Sequence, residues 1–412
     1  MYKCFFVLVN LLCFGCQKEA SFLPFYTRFL GSAIDTKKIC GVQTKDGLLV
    51  VAAQKRGLIN SVGTYFVSLD EKGEIKGELV VEEQGTEIEI NSMTGLKNRN
   101  VVAIGTKKNL SDTSSSILLI FLNPQLQIER QQSIQIPGSA SSGVSVRELG
   151  EGGLEIIAKV SDSLVYLSEV PVDNFASSST RIPMESIVVI NISSETFTIQ
   201  DTISPLPKPY SELHAQSVNG ELFIYGRKDS VLFVAPVRTS GDPRRWIFFN
   251  TKGFYLHRET MYQYQGTNNR SMTVHGLSEF NGKKYLCGTT VNVDNQTEGV
   301  LFTHDSYSAP VFNNNDYLEG FNDIYARNEK EIFITGYQEY EGNRDLILYW
   351  FDKNLSLKTP FKRKTVGTAV RNEGHLIFPD GNGGLILVVT LSEGADQKIA
   401  IYKIPSDDPF FQ

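Results

Sequence analysis

The segment of this sequence best equipped to hold a ligand is GFYLHRETMYQYQGTNNR, Gly253 to Arg270. Its Tyr255, His257, Arg258, Tyr262, Tyr264, Asn268, Asn269 and Arg270 could stack on and hydrogen-bond a sugar or a peptide. The alternative is a surface loop that packs its aromatics on its own sheet. His214, His275 and His375 form a second set, each six to eight residues ahead of a turn. No carboxylate or cysteine shares their spacing, so a polar lining is expected of them, with no metal and no cofactor. Asn313 to Asp316 and Asn292 to Asn295 carry oxygens but no calcium-loop pattern, and read as turns. No Ser/His/Asp or Cys/His arrangement is legible, so no catalytic residue is assigned.

The elements that must position these residues emerge from a repeat. Seven apolar runs, LLVVA, VVAIG, LEIIA, LFIYG, KYLCG, IFITG and LILVV, begin at Leu48, Val101, Leu154, Leu222, Lys284, Ile332 and Leu385, 48 to 68 residues apart. The fifth place of each is Ala52, Gly105, Ala158, Gly226, Gly288, Gly336 and Val389, small in six of seven. Gly-, Asn- and Asp-rich turns precede the runs, so each is the second strand of a hairpin. A third strand follows in every unit, as in TYFVSL from Thr64 and LILYWF from Leu346. Turns at Asp70, Asn123 and Asp352 then lead to a weaker fourth.

A period near 50 residues with four strands in each unit predicts an all-β fold, a β-propeller of seven four-stranded blades, with six or eight blades as alternatives and two stacked β-domains as a more distant one. The middle strands are continuously apolar, as strands covered on both faces must be. Small fifth-place residues are expected where neighbouring blades converge near the axis. The seventh unit ends at Ile404, and Pro405 to Gln412 is too short and polar to complete it. By elimination the missing strand comes from FLPFYTRFL, Phe22 to Leu30, which would close the ring and hide an edge strand.

The chain opens MYKCFFVLVNLLCFGCQKEA, an apolar run too short for a permanent membrane helix, which reads as a signal peptide over residues 1–15. Polar residues follow Gly15-Cys16 at once. This junction resembles the lipobox of bacterial lipoproteins, though the place three residues before the cysteine is Cys13, where that box usually has Leu. The resemblance implies that Cys16 carries lipid and that residues 16–21 are a tether, and the repeat makes 22–412 one domain. Gln17-Lys18-Glu19 partly resembles the surface-export signals of Bacteroidota lipoproteins. Triplets such as Asp162-Ser163-Leu164 resemble the O-glycosylation sequon of the same bacteria. Lipid anchorage at the outer membrane, on its cell-surface or periplasmic face, is the localisation these resemblances imply. Of five cysteines, only Cys40 and Cys287 then remain in the fold, and two buried free thiols are expected.

A net charge of −6 without basic clusters argues against nucleic acid as a partner. Thr180-Arg-Ile-Pro183 resembles the Arg-Ile-Pro element of sialidases, but it lies mid-chain and no Asp-box turn accompanies it, so no role is carried over. The expected function is therefore binding or scaffolding without catalysis, with an outer-membrane protein, a glycan or a peptide engaged by one propeller rim. A glycan-degrading enzyme is the alternative. Convergence of two carboxylates in the channel would favour the enzyme, and neutral polar groups there would favour binding.

Overall fold

The computed structural model describes residues 24–29, 34–56, 60–112, 114–136, 139–149, 153–162, 184–192, 199–203, 210–218, 221–228, 231–237, 261–262, 272–291, 296–303, 311–312, 318–363, 371–393 and 396–411. These residues form an all-β, propeller-like fold. Its strands fall, in chain order, into four-stranded antiparallel units. In the second unit, for example, Thr86–Gly95, Val101–Asn109, Ser115–Leu122 and Ile128–Ile134 pair in sequence. The sixth consists of Leu318–Asn328, Glu331–Tyr340, Asn343–Phe351 and Leu357–Arg363. Units one and two touch edge to edge through the single parallel pair Val62↔Glu87, and units six and seven through Arg344↔Arg371.

Every apolar run found in the sequence is a second strand, and in units one, two, six and seven its continuous hydrophobicity is explained by cover on both faces. In Val101–Asn109, Ala103 faces unit one, among Val50, Phe66 and Leu118, whereas Val102 and Ile104 face unit three, among Ile156, Ala158 and Ile190. The same alternation packs unit five on six through Cys287, Phe321, Ile334 and Ile347, and six on seven through Phe333, Leu348, Leu387 and Tyr402. A fifth cluster joins the last unit to the first, with Ile386, Val388 and Ile401 against Val51, Tyr65 and Val67. Each fully buried Leu, Ile, Val or Phe contributes roughly 1.5–3 kcal/mol on transfer from water.

The turns between third and fourth strands share one mechanism. Asp70, Asn123 and Asp352 each accept two backbone N–H bonds, at the second and fourth residues that follow, at 2.9–3.0 Å. The third residue after each adopts positive φ, at Gly73, Leu126 and Leu355. The two leucines accept this uncommon conformation while their side chains pack on the cores between units.

Five of the innermost strands, those of units two, three, five, six and seven, share a β-bulge at one register. The pairing slips between Ile90 and Ser92, Gly143 and Ser145, Val274 and Gly276, Phe321 and Asp323, and Gly374 and Leu376. This corrects the expected reason for the small fifth place. Gly336 is opposite Phe321, and a Cβ on it would overlap the Gly320 carbonyl oxygen of its own bulged inner strand. Gly105 meets Glu89 in the same way. Convergence of neighbouring units acts one step away, on inner-strand Gly374 and Gly143. Added Cβ atoms there would overlap Thr335 Oγ1 of unit six and Ile104 of unit two, respectively. Val389, the exception at the fifth place, stands opposite Gly374.

At the other end of the chain, Pro24–Phe29 pairs antiparallel with Asp396–Ile404, in the register Pro24↔Tyr402 to Phe29↔Lys398. After Ile404 the chain forms a 3₁₀ turn, Pro409–Phe411, whose Phe410 and Phe411 pack on Phe333 and Trp350. Arg327 lies over the Phe333 and Phe411 rings at 5.1 and 5.4 Å.

Deleting residues 17–30 while keeping Cys16 strips Asp396–Ile404 of its outer ladder, in which each hydrogen bond has a net worth of about 0.5–1.5 kcal/mol. A loss of several kcal/mol is expected, from a total of about 5–15, together with aggregation through the bared edge. Thermal melting and size-exclusion chromatography check this; an unchanged melting temperature in a monomer would show that the segment contributes no structure.

Candidate functional site

The inner strands of units one, two, five, six and seven surround a cavity of about 650 Å³. The bulges decide what faces it, because a bulge turns one extra side chain off the regular alternation. Those side chains are Asn91 in unit two, His275 in unit five, Asn322 in unit six and His375 in unit seven, and all four line the cavity.

Each bulge residue is fixed by a specific bond. Asn91 Nδ2 donates to Gly143 O at 2.7 Å and Asn322 Nδ2 to Gly374 O at 2.9 Å, so each asparagine ties its unit to the next. His275 Nε2 lies 3.0 Å from Thr289 Oγ1, and His375 Nε2 lies 2.8 Å from Thr390 Oγ1. Both threonines sit on the second strand, immediately after the fifth place of its run. The repeat thus builds the same His–Thr pair twice, on either side of Asn322.

A charged cluster buttresses this level of the channel. Glu373 accepts from Arg344 Nη1 at 2.6 Å and from Asn322 Nδ2 at 2.9 Å. Arg344 also donates to Glu339 at 2.7 Å, and its guanidinium lies 3.9 Å from the centre of the Tyr337 ring. Burial raises the Glu373 carboxyl, but His375, Arg344 and the Asn322 bond outweigh it and hold the group below the usual carboxylate range. Burial lowers the His375 imidazole, opposed by Glu373. His275 is open to the channel, yet the surrounding protein lowers its imidazole too, again against the pull of Glu373. Both histidines are therefore neutral at neutral pH.

Asp323, also on the cavity wall, follows the bulge in unit six. Its Oδ1 accepts from Ile324 N at 2.9 Å and its Oδ2 from Ile377 N of unit seven at 3.0 Å. Burial pushes this carboxyl up to about 7 against those two donors. Asp323 and Glu373 are thus both committed to holding units six and seven together. Among the described residues, no group of three His, Cys, Asp or Glu side chains could hold a metal ion.

The sequence-derived candidates fare unevenly. Cys16 and Tyr255, His257, Arg258, Tyr264, Asn268, Asn269 and Arg270 lie outside the described residues. Tyr262 belongs to a short strand, Met261–Tyr262, that pairs with Leu232 and Phe233 as the fourth strand of unit four. The structure brings His275 and His375 onto the same cavity, and His214 lies on the inner strand of unit four. Of the two free thiols, Cys287 is buried as expected, and its pKa is raised by burial and by Asp323. Cys40 is only half-buried, because it sits on the channel wall, where it donates to Ile90 O at 3.7 Å. Its thiol is pushed up to about 12 by burial and Glu89, so neither cysteine is a reactive thiolate at neutral pH.

Sequence reasoning missed Asn91, Asn322, Asp323 and the Arg344–Glu373 pair. A signal was available: Asn91, His275, Asn322 and His375 each precede the fifth place of their run by 13 or 14 residues.

No protein-family model matches the sequence, and no curated protein matches it. Among solved structures, the chain is similar to the polysaccharide lyase Uly1, with a TM-score of 0.55 and 11% identity over 92% of this chain and 91% of that one. It is also similar to the BP39L lectin from Burkholderia pseudomallei, with a TM-score of 0.55 and 9% identity over 92% and 98% of the two chains. At these identities the likeness is one of fold.

Because the folded-state pKa of Asp323 is raised, the native state binds its proton more tightly than the unfolded chain does. The stability this contributes is fully present below about pH 4, the ordinary carboxyl value, and is lost as the pH rises through about 7. The stability of the wild type relative to Asp323→Asn should therefore fall over that window and level off above it. Denaturant unfolding at pH 4 to 8 measures this, and a constant difference would assign Asp323 an ordinary pKa.

Proposed function

We propose that this chain is a ligand-binding β-propeller that acts without catalysis, and that its central cavity is the binding site. The observation that supports this reading is the chemistry of the bulge level: Asn91, His275, Asn322 and His375 are neutral there, and the carboxylates of Asp323 and Glu373 are engaged in bonds between units. A cavity of about 650 Å³ falls within the roughly 300–1,000 Å³ of small-molecule sites. We further propose seven blades in a closed ring, supported by the pairing of Pro24–Phe29 with Asp396–Ile404 and by the core shared between the last unit and the first.

Glycans are the first ligand class to test, with peptides second. Ser92 lines the cavity, and Ser92→Trp would fill the channel. On glycan and peptide arrays the full chain should capture a ligand that Ser92→Trp loses, with the melting temperature changed by only a few degrees. Capture untouched by Ser92→Trp would move the site to an outer rim. The glycan-degrading alternative draws on the two imidazoles on the cavity wall, either of which can accept a proton as a base. Appearance of new chain ends in a glycan incubated with the protein would select it.

The remaining proposal is anchorage by lipid on Cys16 at the outer membrane, through the signal-like run that precedes it. Cys16→Ser should move the protein from the membrane fraction to the soluble fraction and abolish labelling by a palmitate analogue. A variant that stays membrane-bound and labelled would refute the lipoprotein reading.

A further inference from the structure

The bulge residues do more than line a cavity: they present it with one chemical character. Asn91 and Asn322 spend their amide nitrogens on bonds within the protein, chiefly to Gly143 O and Gly374 O of the next unit. Their amide oxygens are left as acceptors for the channel. His275 and His375 spend Nε2 on threonine hydroxyls, which leaves Nδ1 on each. A threonine hydroxyl can donate or accept, so each imidazole can present Nδ1 as an acceptor or as an N–H donor, whichever a ligand requires. Four partly satisfied groups from four units therefore stand at one level of the wall.

None of these groups brings a charge at neutral pH. Asparagine does not ionise, and the surrounding protein keeps both imidazoles neutral. Glu373, which accepts from Asn322, is already paired with Arg344, and Glu279 and Asp323, the ionisable carboxyl groups on the same wall, supply no positive charge. An ionic ligand drawn to this level would lose its hydration without gaining a counter-charge from the belt, and that cost is steep. Hydroxyl groups fit better, since each donates and accepts. Along the channel from the belt, Leu376 and Phe378 offer apolar surface suited to the C–H face of a sugar ring.

We infer that Asn91, His275, Asn322 and His375 form a recognition belt for an uncharged sugar, and that the channel takes a short segment of a neutral glycan in preference to an acidic one. The inference rests on the channel-binding reading above and deepens it. The belt atoms are single contact points spread over four units, which matches hydroxyls spread around a sugar ring. A peptide main chain would instead call for a row of paired backbone donors and acceptors.

The test uses the full chain and isothermal titration at pH 7.5 with cellotetraose, mannotetraose, laminaritetraose and chitotetraose, and with trigalacturonate as the acidic counterpart. At least one neutral oligosaccharide should bind, and His275→Ala and His375→Ala should each weaken it tenfold or more. His375→Gln, which restores a neutral hydrogen-bonding group, should recover part of that loss, and this excludes a merely structural role. Trigalacturonate should not compete. Preference for trigalacturonate, indifference to both histidine variants, or failure of all four neutral sugars would each overturn the inference. If the sugars fail but Ser92→Trp still abolishes capture of an array peptide, channel binding stands and only the sugar assignment falls. If Ser92→Trp changes nothing, both fall.

Discussion

The architecture depends on one joint, repeated between neighbouring units. An inner strand carries a bulge, its carbonyl crowds the facing residue of the second strand, and the next unit packs closely against that place. Gly336 with Gly374, and Gly105 with Gly143, show what the joint demands: no Cβ where one strand's carbonyl or the next unit's side chain must sit. Asn322 and Asn91 then bridge the gap by donating to the carbonyls of Gly374 and Gly143. Close approach and the hydrogen bond require each other, because an amide reaches the next unit only where no side chain intervenes.

From that joint the rest of the packing follows. With inner strands held at fixed separation, the second and third strands of adjacent units meet face to face, and their side chains alternate between two cores. Two carboxyl groups are accommodated at the same level by pairing. Asp323 satisfies backbone donors of its own unit and of the next, and Glu373 is held by Arg344 and Asn322. Both carboxyl groups thereby brace the wall between units six and seven.

The same joint creates the cavity's character. A bulge turns one additional side chain away from the regular alternation, and in four units that residue is asparagine or histidine. Structural stitching and the lining of the cavity therefore share residues: each amide or imidazole uses one end on the protein and keeps the other.

The repeat, the strand order within each unit, and the N-terminal stretch left over at the end of the count were legible in the sequence because they rest on local properties. Apolar runs, turn residues and period are features of short windows, and each window states its own preference. The histidines of units five and seven were placed on inner strands by the same logic. What was not legible is anything that depends on register. A bulge shifts pairing by one residue and reverses which side chain faces the channel, so the shared spacing of Asn91 and Asn322 from the fifth place does not by itself say that they face it. The small fifth place was visible as a pattern, but its cause was not, since the colliding carbonyl of Gly320 or Glu89 belongs to another strand. Only tertiary structure decided that Arg344 meets Glu373 and that Asp323 reaches Ile377, because each pair joins residues 29 or 54 positions apart in the chain that come together across the boundary between two units.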